Sequence, residues 1–166
     1  MLLLEKAGYR MKLLGRAIRR EDGCVTAYVS PHVIADTHPI ARVDDVFNAI
    51  VVEGNATGDV LFFGRGAGAL PTASAVVSDI INIFEESKPP RAIRWDEPAE
   101  IAPVNQLPLR RYLRCAASEE TLRAALGELL VLQSGEETAA LTEALTQEEW
   151  EKRSKDLAIL ADWPVL

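Results

Sequence analysis

Apolar residues recur along this chain with two different periods, and the places where the period changes mark out its elements. Leu2 to Gly8 reads as the end of a helix, stopped by Gly8. From Tyr9 to Arg19 the pattern alternates, with Met11, Leu13 and Ala17 set against Arg10, Lys12 and Arg16, which predicts a strand. Glu21-Asp22-Gly23 is a hairpin signal, and Cys24 to Ser30 is the expected return strand. Ser30 to Pro39, punctuated by two prolines and holding both histidines, reads as a loop. The β-branched run from Phe47 to Glu53 predicts a central strand, Gly54 to Gly58 a turn, and Asp59 to Phe63 the next strand.

The period then switches to helical. Pro71 to Glu86 places Ala73, Val76, Val77, Ile80 and Phe84 on one stripe, expected to be buried against the strands. Between strand and helix lies a three-glycine turn, Gly64, Gly66 and Gly68. Two readings of it stand side by side. Glycines allow positive φ and close backbone approach, and a following helix offers unpaired N–H groups to an anion such as a phosphate or carboxylate. The same glycines are also what a tight turn needs simply to let a helix pack close to a sheet. The spacing is G-x-G-x-G in mid-chain, not the dinucleotide fingerprint.

Residues 88–108 have little periodicity and hold five prolines (Pro89, Pro90, Pro98, Pro103 and Pro108), as expected of an extended linker that Trp95 and Ile101 pin to a surface. Beyond it, Leu109 to Ala116 alternates as a strand. Ser118 is a candidate N-cap with Glu119 and Glu120 in the first turn, and Leu122, Ala125, Leu126, Leu129 and Leu130 follow as an amphipathic stripe. Val131 to Gln133 and Thr138 to Leu145 form a candidate hairpin around Ser134-Gly135-Glu136. Thr146-Gln-Glu-Glu149 is a capping-box sequence opening a helix expected to bury Trp150, Leu157 and Leu160. The order β-α-β-β-α-(β) is ferredoxin-like. The fold class is therefore α/β (α+β): a sheet with a covering helix, then a small βαββαβ domain.

Composition narrows the function classes. With 48% apolar and 26% charged residues in 166, the chain has enough apolar content for a core and one or two small domains. A formal net charge of −7 argues against general nucleic-acid or anionic-membrane binding. No apolar run approaches the roughly 18 residues that span a bilayer, and Met1-Leu-Leu-Leu is too short for a signal peptide.

Cys24 and Cys115 have no metal-ligand spacing and read as small hydrophobes in a reducing compartment. His32 and His38 are the only histidines and make no zinc-type pair. Each is read as a turn or hydrogen-bonding residue in preference to a general base. Glu53 and Asp59 flank the glycine motif and are read as turn and strand-end acids.

Five linked segments carry a resemblance. Ala7-Gly-Tyr-Arg-Met-Lys-Leu-Leu-Gly15, His38-Pro39, Val46-Phe-Asn-Ala-Ile-Val-Val-Glu-Gly54, Phe63-Gly-Arg-Gly-Ala-Gly68 and Pro71-Thr-Ala-Ser-Ala-Val-Val77 stand in the order and near the spacings of homoserine dehydrogenase. The chain resembles the second half of that family's catalytic region from Ala7 to about Phe84. The resemblance implies an oxidoreductase that interconverts L-homoserine and L-aspartate 4-semialdehyde with NADP or NAD, in threonine and methionine synthesis. It implies a cytoplasmic, dimeric protein.

Residue by residue, it matches Gly68 to the glycine that touches the nicotinamide nucleotide. Gly66 and Ala67 lie beside it, and Thr72 sits at the start of the helix. In the family a Rossmann domain and a catalytic Asp and Lys precede the position of Ala7-Gly8-Tyr9. They have no counterpart here, so no catalytic residue and no metal ligand is assigned, tight cofactor binding is not expected, and the missing Rossmann domain or subunit becomes an expected partner. Loss of that domain is expected to leave apolar surface exposed or recovered in a homo-oligomer.

The resemblance divides the chain into residues 1–87 of the catalytic and dimerisation region, a linker at 88–108, and a degenerate ACT-like domain at 109–166, opened by Tyr112-Leu-Arg114. Ser118-Glu-Glu-Thr121 replaces the family's glycine-containing effector loop. That half is therefore read as a structural or dimerising remnant in preference to an amino-acid effector site. The alternative for the whole is a stand-alone regulatory or dimerising module without catalysis.

Overall fold

The computed structural model describes residues 2–85 and 98–166. The fold is mixed α/β, with antiparallel sheets and short helices, and divides into two compact units. One takes Met1–Asp36 with Pro98–Leu166, the other Thr37–Glu97, each read over its described residues. These units cut the chain differently from the sequence division at 87 and 108, because the first hairpin pairs with the C-terminal residues. The predictions for residues 86–97, including Pro89, Pro90 and Trp95, lie outside the described residues.

In the first unit, α1 (Leu2–Lys6) ends where Gly8 takes a φ of +78°, the conformation a helix stop favours. β1 (Tyr9–Arg19) then pairs antiparallel with β2 (Val25–Ala35) through eleven register positions, Tyr9 opposite Ala35 to Arg19 opposite Val25. Gly23, at φ +86°, and the Asp22 carboxylate, which accepts from the Cys24 N–H at 2.9 Å, build the turn between them. The return strand therefore runs five residues beyond Ser30, and the expected loop at 30–39 is mostly sheet. Pro31 is tolerated there because at that position β2 is paired on its β1 side, the bridges on its other side being at Val25 and Val33.

The same unit holds a four-stranded antiparallel sheet of order β6-β7-β5-β8, built from β5 (Arg111–Cys115), β6 (Leu129–Gln133), β7 (Thr138–Thr142) and β8 (Ile159–Pro164). Helices α3 (Glu119–Leu126) and α4 (Gln147–Ser154) complete the βαββαβ order. Both faces are buried. Leu113, Cys115, Leu122, Leu126, Ala140 and Trp150 fill one side under α3 and α4. Leu4, Val33, Tyr112, Leu141 and Val165 fill the other, against α1 and β2. Neighbours Tyr112 and Leu113 point to opposite faces, as strand alternation requires.

Helix α3 stops earlier than its apolar stripe suggests. Gly127, at φ +88°, ends it after Leu126, so Leu129 and Leu130 belong to β6 and Leu130 faces solvent. Leu160, expected beneath the second helix, lies on β8 and is 47% exposed. The caps hold as read. Ser118 accepts from the Thr121 N–H at 3.3 Å, and Thr146 and Glu149 form a reciprocal capping box.

The second unit contains a short 3-10 turn (Pro39–Arg42), the hairpin β3 (Phe47–Gly54) and β4 (Gly58–Arg65), and helix α2 (Ala69–Glu85). β3 is not a central strand among the described residues, since it pairs there with β4 alone. Helix α2 has no buried residue: Ala73, Val76, Val77, Ile80 and Phe84 are all exposed, Phe84 at 85%. The stripe is present in the sequence as expected, but nothing among the described residues covers it. No described helix is long and apolar enough to cross a membrane.

Candidate functional site

The glycine segment sits where the β3–β4 hairpin ends and α2 begins. Register places Asn48 opposite Gly64 and Phe47 opposite Arg65, so Gly64 is still within the ladder and the turn proper is Gly66, Ala67 and Gly68. The Gly66 N–H continues the pairing by donating to the Val46 carbonyl at 3.2 Å. Gly68 alone among the three glycines has a positive φ, +124°. A side chain there would be strained whatever the space, and its Cβ would lie 3.4 Å from Pro71 Cδ.

The helix starts at Ala69, two residues before the expected Pro71, and the Thr72 N–H donates back to the Gly68 carbonyl at 3.1 Å. Pro71 falls in the first turn, where its missing N–H costs no intrahelical bond. Gly66, Ala67 and Gly68 are exposed, so their backbone is open to a ligand, and an α-helix leaves its first N–H groups without intrahelical partners.

The side chains around the turn come from the hairpin. Phe47 stacks on Phe63 with ring centroids 5.0 Å apart, and the Arg65 guanidinium lies 5.2 Å from the Phe47 centroid. On the opposite face the Asn48 side chain leans across Gly66, where an added Cβ would fall 2.5 Å from Asn48 Cγ. Asn48 and Arg65 were not singled out by sequence reasoning. The signal available was a lone amide in an otherwise apolar, β-branched strand. Glu53 and Asp59 face each other at the far end of the hairpin, away from the turn.

The histidines take no part in this segment. His38 caps the 3-10 turn, its Nδ1 accepting from the Ile40 N–H at 3.3 Å. His32 is fully buried on β2, not in a loop. Its Nδ1 lies 2.9 Å from the Ser30 carbonyl, which can only accept, so Nδ1 carries the proton and Nε2 accepts a hydrogen bond from the Tyr28 hydroxyl at 3.2 Å. Arg16 in turn donates to the Tyr28 oxygen at 3.1 Å. Ser30 Oγ stands 3.4 Å from the same Nδ1. That nitrogen's proton is already committed, so His32 cannot act as a base toward Ser30. Burial, with the Arg16 charge nearby, holds the His32 pKa below the ordinary range.

Cys115 is buried, and burial pushes its thiol pKa up. Cys24 is half-buried, and desolvation with the Asp22 carboxylate raises its thiol in the same direction. Neither is an activated nucleophile. Among the described residues no group of three or more His, Cys, Asp or Glu could hold a metal ion.

A cavity of about 290 Å³ opens in the first unit beside Val29, Val104, Leu107 and Leu109, with Arg111 at its wall. The guanidinium is already engaged: Nη1 donates to Asp162 at 2.7 Å, Nη2 to Gln147 at 2.5 Å, and its plane rests 5.0 Å from the Trp150 ring centroid.

Comparison with known proteins places these elements in context. The family profile described as homoserine dehydrogenase matches residues 2–81. The homoserine dehydrogenase of Neisseria gonorrhoeae is 38% identical over 152 residues, covering 86% of this chain and 34% of the relative. That of Synechocystis is 46% identical over 82 residues, 48% of this chain and 19% of the relative. Among solved structures, Staphylococcus aureus homoserine dehydrogenase at pH 7.0 superposes with a TM-score of 0.74 at 30% identity, over 99% of this chain and 44% of that one. The enzyme from Thiobacillus denitrificans gives 0.75 at 26% identity, over 98% and 44%. The chain thus spans between 19% and 34% of the length of these two curated relatives.

Proposed function

Because the chain belongs to the homoserine dehydrogenase family through residues 2–81, we propose that it supplies the substrate-side and subunit-contact part of such an enzyme. The reaction is the interconversion of L-homoserine and L-aspartate 4-semialdehyde with NADP or NAD, a step of threonine and methionine synthesis. The observation that carries this reading is the exposed Gly66-Ala67-Gly68 turn between β4 and α2. Its backbone is uncovered, and Gly68 has the positive φ that keeps a side chain away from an approaching ligand. In this role Gly66, Ala67 and Gly68 bound the nicotinamide end of the cofactor, and Thr72 stands in the first turn of the helix beside them.

Hydride transfer itself needs groups outside these residues. The nucleotide-binding Rossmann domain, with a catalytic Asp and Lys, is the proposed partner, whether on the same polypeptide or on another subunit. The uncovered apolar stripe of α2 and the exposed face of the β3–β4 hairpin supply surfaces for such a domain or for a second copy. Residues 1–87 are the catalytic and dimerisation part, 88–108 the linker, and 109–166 an ACT-like domain with a structural role, all in the cytoplasm.

The test is homoserine oxidation followed by NADPH absorbance, with this chain alone and with the nucleotide-binding half of a related enzyme added. The expected result is no turnover alone and turnover on addition. No turnover in either mixture would favour a second reading, a non-catalytic regulatory or dimerising module. The separate core of the 109–166 half, Leu113 to Trp150, gives that reading its support.

A further inference from the structure

We propose that Asn48 is a specificity-determining residue of the glycine turn, reading the carboxamide of a nicotinamide ring laid on the bare backbone at Gly64, beside the amide. This rests on the reading of the turn as the cofactor's nicotinamide site.

Gly66 does not have a positive φ, so its backbone conformation does not call for glycine. Space does: a Cβ at that position would lie 2.5 Å from Asn48 Cγ and 3.2 Å from Asn48 Cβ. The register explains why the amide reaches it. Asn48 stands opposite Gly64, and Gly66 is the diagonal neighbour two residues on, within reach of a side chain on that face. Both positions lack a side chain, and a Cβ added at Gly64 would meet nothing within 4 Å. A flat strip of backbone is therefore left bare at Gly64, while the Asn48 amide itself covers Gly66.

Ile50 and Phe62 continue the same face along the hairpin, and both are exposed. The strip thus offers an apolar, partly aromatic approach and a single amide at its edge. That amide makes no hydrogen bond within the described residues. Stability does not need it, because an exposed carboxamide is as well served by water. What the arrangement provides is one acceptor and two donors beside the bare backbone of Gly64. A primary carboxamide on an aromatic ring presents the matching set, and two amides pair through reciprocal N–H···O=C bonds. A fully ionised phosphate, which can only accept, would use the donor half alone.

The experiment is a titration of the isotope-labelled 166-residue chain with NADP+ at millimolar concentration. The readouts are the Asn48 side-chain amide and the backbone amides of Gly66 and Gly68. A parallel titration uses the 3-acetylpyridine analogue, which keeps the ring carbonyl but lacks the amide donor. The expected outcome is a shift of all three signals with NADP+, and loss of most of the Asn48 shift with the analogue. Gly66→Ala should swing the flexible Asn48 side chain aside, abolishing its response while the rest of the spectrum stays in place. Gly68 moving while Asn48 stays still would overturn the role given to Asn48 and leave the turn as a nucleotide contact. Equal Asn48 shifts with both nucleotides would overturn carboxamide reading. No response at any of the three would overturn both the role and the site.

Discussion

Tyr28 donates a hydroxyl hydrogen bond to Nε2 of His32, four residues along the same strand, across 3.2 Å. The bond has a fixed direction, because the Ser30 carbonyl holds the proton of the other ring nitrogen in place.

That direction makes the fold acid-sensitive at one residue. Burial lowers the His32 pKa below its ordinary 6.5, helped by Arg16. Above that value the ring is neutral in both folded and unfolded chains and contributes no pH dependence. Below it the unfolded chain takes the proton first, so stability falls as pH drops from about 6.5 toward the lowered folded value. Urea midpoints at about pH 7.5 and pH 5.5 should separate for the natural chain and converge for His32→Gln. The same separation in both proteins would assign the effect to other groups.

A second acid-linked contribution sits on the capping box of α4. Backbone and side-chain hydrogen bonds from Thr146 hold the Glu149 carboxyl below its ordinary value of 4.5. Its contribution is present above that value and fades as pH falls through the lowered one. Thr146→Ala should cost about 1 kcal/mol near neutral pH. Denaturant unfolding measures it, and an unchanged midpoint would mean the cap is not formed in solution.

Leu122 and Leu160 test where the apolar residues of the C-terminal half belong. Leu122 is fully buried in the α3–α4 core, and truncation to alanine should cost about 2–5 kcal/mol. Leu160→Ala, on the outer side of β8, should change stability by less than about 0.5 kcal/mol. Reversed magnitudes in the two unfolding curves would put Leu160 under the helix, as its spacing in the sequence suggests.

Glu53 and Asp59 are directly opposed across the β3–β4 hairpin, an arrangement of like charges that works against pairing. Asp59→Lys should stabilise the second unit by about 0.5 kcal/mol at low salt, with the gain shrinking as salt is added. Hydrogen exchange of the Val51 and Val52 amides would register it, and faster exchange in the variant would count against the register.

Gly68→Val, introduced into the chain assembled with a nucleotide-binding half, should weaken NADP(H) binding. A branched side chain at a φ of +124° both strains the turn and fills the space over it. Cofactor affinity equal to that of the unmodified assembly would remove Gly68 from the site.

Local chemistry was legible in the sequence wherever a few neighbouring residues decide the outcome. Gly8 and Gly23 take the conformations their positions imply, Ser118 and Thr146 cap the helices they precede, and Glu21 to Gly23 turns the first hairpin. Pairing over long separations was not legible. The strand from Val25 extends to Ala35 because β1 is long enough to match it, and no local signal at Pro31 announces that. Leu129 passes for a helical residue by spacing, yet Gly127 has already ended the helix. At the glycine turn, sequence named Gly66, Ala67 and Gly68 but missed Asn48. Its significance depends on which residues of β4 stand across from it.

Residues at the two ends of the numbering are neighbours in space. Val33 and Val165 bridge two strands, and the Leu166 N–H donates to the Val33 carbonyl at 3.0 Å. A ribosome adding about 5–20 residues per second delivers Val165 on the order of ten seconds after Val33. Throughout that interval the face of the first hairpin that carries Val33, Met11 and Tyr9 lacks the sheet it packs against. The first unit therefore closes only once Val165 and Leu166 have been made, and until then the nascent hairpin keeps an apolar face open to a chaperone.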